Sequence, residues 1–196
     1  MPRQPRLIMD GGYYHIVTRG IDRRRLFRNQ QDYKFFFETI ARYLKEFQID
    51  IFHYCLMPNH LHLLIRVNRR EDLAKFMQGI LQVYAHYFRK KYSSVGFVFQ
   101  NRYKSRHIDN DAYLLDCGRY IERNPLRAGL ATDLYCYPWS SFLFYARGES
   151  SGIIKVPNPL YACLGATHPE RQAKYAERVL EIRLYEHIID KEFKIR

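Results

Sequence analysis

Ile49-Asp-Ile-Phe-His-Tyr-Cys-Leu-Met-Pro-Asn-His-Leu-His-Leu-Leu-Ile-Arg-Val67 holds two apolar runs broken by Met57-Pro58-Asn59. Proline and asparagine side by side favour a turn over a continued strand. Strands joined by so short a link are antiparallel. The stretch therefore predicts a pair, Ile49–Leu56 and Leu61–Val67. Side chains on a strand alternate between its two faces. In the second strand Leu61, Leu63 and Ile65 share a face turned to a core, while His60 and His62 together point the other way.

Outward from this pair the chain alternates strands and helices. Tyr13–Arg19 is rich in β-formers and bounded by Gly11-Gly12 and Gly20, the pattern of a strand. Asp32–Phe47 repeats Tyr33, Phe36, Phe37, Ile40 and Leu44 at helical spacing, and Leu73–Tyr92 does the same with Phe76, Ile80, Val83, Tyr84, Tyr87 and Phe88. A fourth strand is expected at Lys104–Ile108. A helix is then expected from Asp111 to Asn124, with Asn110 or Asp111 as N-cap and Pro125 as its stop. The class is α+β, with helices packed on an antiparallel β-sheet. After Phe144 the character changes: Gly148–Pro159 is rich in Gly, Ser and Pro and reads as a linker or loop. Pro169–Ile189 reads as a helix with a Tyr175, Val179, Ile182, Tyr185 stripe. The division expected is a domain over 1–147, with a basic N-terminal arm, followed by a C-terminal helical extension over 148–196.

Two neutral imidazoles on one strand face can occupy adjacent positions on a divalent metal, although such a pair also serves as plain structure. Downstream, Tyr120 and Asn124 stand four residues apart and share one helix face. Together they offer a phenol as a nucleophile and an amide oxygen as a third ligand. The competing reading is a tyrosine packed in the core and an asparagine closing the helix. Phenols ionise near pH ~10, so a tyrosine nucleophile needs a cation that polarises the group under attack or stabilises the phenolate.

These segments resemble the single-tyrosine HUH (IS200-like) transposases, and most closely the REP-associated tyrosine transposase group. The resemblance runs from about Arg6 to Phe144. It is carried by Gly12-Tyr-Tyr-His-Ile-Val-Thr-Arg-Gly20 with Arg25-Leu-Phe-Arg28, by the histidine pair, and by Val98-Phe-Gln-Asn-Arg-Tyr-Lys-Ser105. Arg119-Tyr-Ile-Glu-Arg-Asn-Pro-Leu-Arg-Ala-Gly129 and Pro138-Trp-Ser-Ser141 complete it. It implies a ferredoxin-like fold, and a metal-dependent enzyme that cuts and rejoins single-stranded DNA beside a palindromic hairpin. By the same resemblance His60, His62 and Asn124 hold Mg²⁺ or Mn²⁺. Tyr120 attacks a phosphate, forming a 5′-phosphotyrosine link and freeing a 3′-OH. A domesticated relative that binds hairpins without cutting is the alternative. The resemblance leaves monomer and homodimer both open and implies a cytoplasmic bacterial protein.

Composition agrees with a polyanionic partner. The formal net charge is +12 and the pI is about 9.6, a balance that favours nucleic acid. The candidate DNA contacts are Arg3, Arg6, Arg19, Arg24, Arg25, Arg102, Lys104 and Arg127. The Arg102-Tyr103-Lys104 stretch is expected to face DNA. No apolar run approaches membrane-spanning length, so a membrane partner is not expected. Cys55, Cys117, Cys136 and Cys163 show no CxxC spacing and read as buried thiols. His15 and His53 read as packed or hydrogen-bonded histidines rather than ligands. Glu122 is expected at the solvent or beside an arginine.

Overall fold

The computed structural model describes residues 7–181, apart from the side chains of Asp111 and Ala112. The order of elements is β1 (Gly12–Arg19), α1 (Gln30–Tyr43), β2 (Ile49–Met57), β3 (His60–Val67), α2 (Arg70–Tyr92), β4 (Lys104–Ile108), α3 (Asp111–Arg127), α4 (Phe142–Arg147) and α5 (His168–Leu180). The sheet runs β2-β3-β1-β4, with every neighbouring pair antiparallel. This is the ferredoxin-like βαββαβ arrangement.

Alternation places the two halves of β3 in different surroundings. Leu61, Leu63, Ile65 and Val67 join Tyr14 and Ile16 of β1 in the main core, beneath Phe36 and Ile40 of α1 and Phe76, Ile80 and Tyr84 of α2. The opposite face, with Val17, Cys55 and Leu64, is covered by Leu114, Cys117, Tyr120 and Ile121 of α3. In β2 the core-facing residues change from Ile49 and Ile51 to Tyr54 and Leu56. A register shift between Ile51 and His53 allows this: the extra residue of a bulge reverses the parity of the alternation. His53 and Cys55 thereby come to the α3 side.

The helices differ from expectation at their ends. α1 starts at Gln30, because Asn29 and Asp32 form a reciprocal capping box, which satisfies donors that the first turn leaves open. α3 does not stop at Pro125 but runs through it to Arg127. A proline at that position deprives the Ile121 carbonyl of its helical donor; the Asn124 side-chain amide donates there instead, at 3.2 Å, and also to the Tyr120 carbonyl at 2.9 Å. Beyond Arg127 the helix is closed by Gly129, whose φ is +64°, with Gly129 N bonded to Leu126 O and Leu130 N to Pro125 O. That pair of bonds is a Schellman closure.

α5 packs against α4 through Phe142, Tyr145, Tyr175 and Val179. Between the two helices Ile153 enters the main core and Asn158 is buried. Arg3, Arg6 and the expected helical positions Ile182 and Tyr185 lie outside the described residues. All four cysteines are free; Cys55 and Cys117 are buried, whereas Cys136 and Cys163 are exposed, contrary to the expectation of four buried thiols. Among the described residues no helix is long and apolar enough to cross a membrane.

Candidate active site

The α3-covered face of the sheet is read most easily in rows across the strands. One row is Arg19 of β1 beside His60 of β3 and Met57 of β2. The next is Lys104, Val17, His62 and Cys55, and the third is Arg106, His15, Leu64 and His53. His15 and His62 are therefore diagonal neighbours, within reach of one another on an antiparallel pair. Their rings stack at 5.2 Å, with His15 Nε2 2.9 Å from His62 Nδ1.

These contacts hold the two imidazoles of β3 in place. His60 Nδ1 donates to Asn59 Oδ1 at 2.7 Å, so its proton lies on Nδ1 and the lone pair on Nε2. His62 Nε2 is buried and meets no hydrogen-bond partner among the described residues. Burial pushes the His62 pKa well below the usual imidazole value, and the neighbouring His60, His15 and Arg127 push it further. Burial, with Arg106 adding to it, takes His15 down to about 3. Both shifts favour the neutral ring, the form that can ligate a metal or accept a hydrogen bond. The His60 and His62 rings meet edge to face, centroids 5.0 Å apart.

α3 brings Tyr120 to the same place. Its ring lies 5.8 Å from that of His62 and 5.9 Å from that of His15, and it has no accessible surface. The Arg127 guanidinium sits over it, 5.1 Å from the ring centre. Asn124, one turn on, is 4 % exposed. Its amide nitrogen is occupied by the helix carbonyls, which leaves the oxygen as the atom able to act as a ligand. The donor set fits a divalent cation in kind: two oriented imidazoles, one with a buried nitrogen that meets no partner among the described residues, and an amide oxygen one turn beyond Tyr120. Among the described residues no cluster of three His, Cys, Asp or Glu forms a metal site, so further donors would have to be amide, water or substrate oxygens.

The predicted DNA contacts fall into two groups. Arg19, Lys104 and Arg127 border the histidines and Tyr120. Arg24, Arg25 and Arg102 belong to loops beyond the sheet end; Arg25, Arg102 and Lys104 are exposed. Tyr103, expected to face DNA, is instead 7 % exposed and part of the main core. Tyr103 immediately precedes β4, and its ring turns inward between two exposed cations.

Glu122 also differs from expectation. It is fully buried, accepting from His53 Nδ1 at 2.9 Å, Tyr175 Oη at 2.7 Å and Ser141 Oγ. Asn158 Oδ1 accepts from Leu160 N, so its Nδ2 donates to His53 Nε2 at 3.0 Å. His53 is thus held at both nitrogens, Nδ1 donating to Glu122 and Nε2 accepting from Asn158. Gly118 makes the close approach possible, since a Cβ there would fall 2.6 Å from that ring. His107 shares its face with Tyr14, the side away from His62. Asn59 and His15, the orienting partners, were not singled out for that role in the sequence; only Asn59, adjacent to His60, carried a local signal.

Residues 9–124 match the profile of the IS200-like transposases. The chain belongs to the IS200-like transposase family. Among solved structures, a REP-associated tyrosine transposase bound to a REP hairpin is similar with TM-score 0.65 and 20 % identity, over 80 % of this chain and 92 % of that one. At that identity the likeness shows the fold. The tRNA(His) guanylyltransferase of Saccharomyces cerevisiae is 11 % identical with TM-score 0.45, over 97 % of this chain and 81 % of that one, and carries no argument. No curated protein sequence matches significantly. For a member of the IS200-like transposase family, a basic face beside two oriented histidines is where DNA chemistry is to be sought.

Proposed function

We propose that this chain is a metal-dependent single-stranded DNA transesterase that acts beside a palindromic hairpin. The observation that carries the reading is the convergence of Tyr120, His60 and His62, from two elements far apart in sequence, on one buried spot. A solved structure of the same fold holds a REP hairpin, which supports hairpin DNA as the partner. His60, His62 and Asn124 would hold Mg²⁺ or Mn²⁺; when bound, such a cation supplies charge stabilisation for the phosphate under attack.

The side chains of the chain do the rest. Arg19, Lys104 and the neighbouring loop cations hold the strand by its phosphates. Tyr120 Oη attacks phosphorus in line: the Oη–P bond forms, the P–O3′ bond breaks, and the 3′ oxygen leaves with a proton. The product is a 5′-phosphotyrosine, which conserves the phosphodiester, so a later 3′-OH can reverse the step. Tyr120 must be uncovered first. Arg127 lies over its ring, and an arriving phosphate that draws this guanidinium outward would uncover the phenol and neutralise charge beside it.

A second reading is a hairpin-binding protein that does not cut, favoured by the complete burial of Tyr120. One assay separates them: single-stranded DNA carrying the palindromes that flank the gene, with Mg²⁺ or Mn²⁺, resolved on a denaturing gel. A covalent adduct in the wild type, lost in Tyr120→Phe while hairpin binding persists, is the expected outcome. An adduct that survives in the mutant would transfer the nucleophile elsewhere. His60→Ala and His62→Ala should each remove metal dependence and cutting together. Tight binding with no cut in any metal would favour the second reading.

A further inference from the structure

The loop between α2 and β4 has a feature that the reaction above does not use. Val95 is 91 % exposed and Phe97 80 %, on either side of Gly96, whose φ is +83° and whose surroundings are open. The base of this tip is anchored on both sides. Ser94 N bonds to Arg89 O, and Ser94 Oγ accepts from Arg24 at 2.7 Å. Val98 is buried in the main core and Phe99 bridges to Gly20. An apolar tip held out in water by a fixed base is disfavoured unless something covers it.

The surroundings of the tip say what that is. From Arg19 to Arg28 there are five arginines against one aspartate, and from Arg89 to Lys104 five cations and no acid. The two segments are stitched together by Ile21 N to Val98 O, Gln100 N to Arg19 O, and Arg19 Nε to Gln100 Oε1. The same platform continues into the site: Gly20 N bonds to Asn59 O, and Leu26 N and Phe27 N to Pro58 O. Asn59 in turn holds His60. An aromatic face on a cationic platform suits stacking on unpaired bases, because every base has a π-face and the phosphates meet the cations.

We infer that the Val95-Gly96-Phe97 tip is a DNA contact, with Phe97 stacking on an unpaired base of the strand that occupies the His60, His62 and Tyr120 site. The inference rests on the DNA reading above. Phe97 is a positioning residue: it grips bases next to the scissile region and leaves the chemistry to Tyr120. Its cationic neighbours attract any strand, whereas the stack favours strands with unpaired bases over closed duplex.

The test uses the full chain, fluorescein-labelled oligo-dT, a hairpin with single-stranded flanks, and a fully paired duplex. Phe97→Ala should weaken binding to oligo-dT and to the flanked hairpin about ten-fold, the scale of one lost stack, and leave the duplex unchanged. The salt dependence of binding should keep its slope, since no cation is removed. Phe97→Trp should restore affinity and show emission quenched by oligo-dT; Phe97→Leu should not restore it. Equal affinity in Phe97→Ala, or full rescue by leucine, would overturn the inference. So would a dimer that Phe97→Ala converts to monomer, or preferential binding of the tip to anionic vesicles. A wild type that binds none of the DNAs overturns this inference and the DNA reading together. Binding that is indifferent to Phe97 overturns this inference alone, and binding without cutting overturns only the transesterase.

Discussion

His62 shows most plainly how a single residue acquires its properties from its neighbours. Free imidazole exchanges its proton between two nitrogens; here Nδ1 faces His15 and Nε2 is left buried with no partner among the described residues. A partner on one ring nitrogen orients the other and fixes the tautomer. For His62 to ligate through Nε2, its Nδ1–H must donate to His15 Nε2, a role open to His15 because burial keeps it neutral. His15→Phe is therefore expected to weaken Mn²⁺ binding about 10–100-fold, measured by calorimetry on the DNA-free protein. His15→Gln, which keeps an acceptor, should lose less. Equal affinity in the phenylalanine variant would mean that His62 is oriented by packing alone. The sequence marked His15 as a packed or hydrogen-bonded histidine; it had no means of naming His62 as the partner, because the register of β1 against β3 is a tertiary fact.

At the scale of elements, α3 is a helix buried on two sides. Cys117, Tyr120 and Ile121 meet the sheet, while Arg119 and Arg123, both buried, reach the C-terminal end of α5. Arg119 Nε donates to Arg178 O at 2.8 Å and its terminal nitrogen to Glu181 O. Arg123 donates to Val179 O at 2.9 Å and Leu180 O at 2.7 Å. The last carbonyls of a helix have no partners within it, and cations there also oppose the negative end of its dipole. Arg178 returns the contact through Asp116, at 2.8 Å. The helix that carries Tyr120 is thus clamped between sheet and α5, with Tyr175 of α5 bonded to Glu122. Arg123→Met should cost about 1–3 kcal/mol, the range for leaving buried polar groups unsatisfied, read by urea unfolding. A loss under about 0.5 kcal/mol would show that water replaces the guanidinium. Periodicity placed Tyr120 and Asn124 on one face, but it put Glu122 at the solvent or beside an arginine. Charged residues usually sit outside, and nothing local announces a second helix on that side.

Across the whole molecule the charge distribution sets the terms of binding. Arg19, Arg24, Arg25, Arg102, Lys104 and Arg127 are six cations along the sheet end and its loops. If all six neutralise phosphates of a single strand, log K against log salt should fall with a slope of about −4, at about 0.7 per contact. Arg127→Gln should make the slope shallower by about 0.7, while Phe97→Ala leaves it alone. A wild-type slope shallower than about −1 would show that these cations do not hold the backbone.

Much of this architecture was decided by the sequence alone. Alternation in β3, the turn at Pro58-Asn59 and the helical stripes of α1 and α2 follow from side-chain period and turn chemistry, which are local. The pairing of His60 with His62, and of Tyr120 with Asn124, follows for the same reason, as does the positive charge. What only the tertiary structure decided are relations between distant segments. These are the β1–β3 register that sets His15 on His62, the β2 bulge that turns His53 toward α3, and the burial of Glu122 and Tyr103. The continuation of α3 through Pro125 belongs with them, since it relies on a side-chain amide replacing a lost backbone donor. Periodicity reports which face a residue occupies; what lies opposite that face depends on how the chain closes on itself.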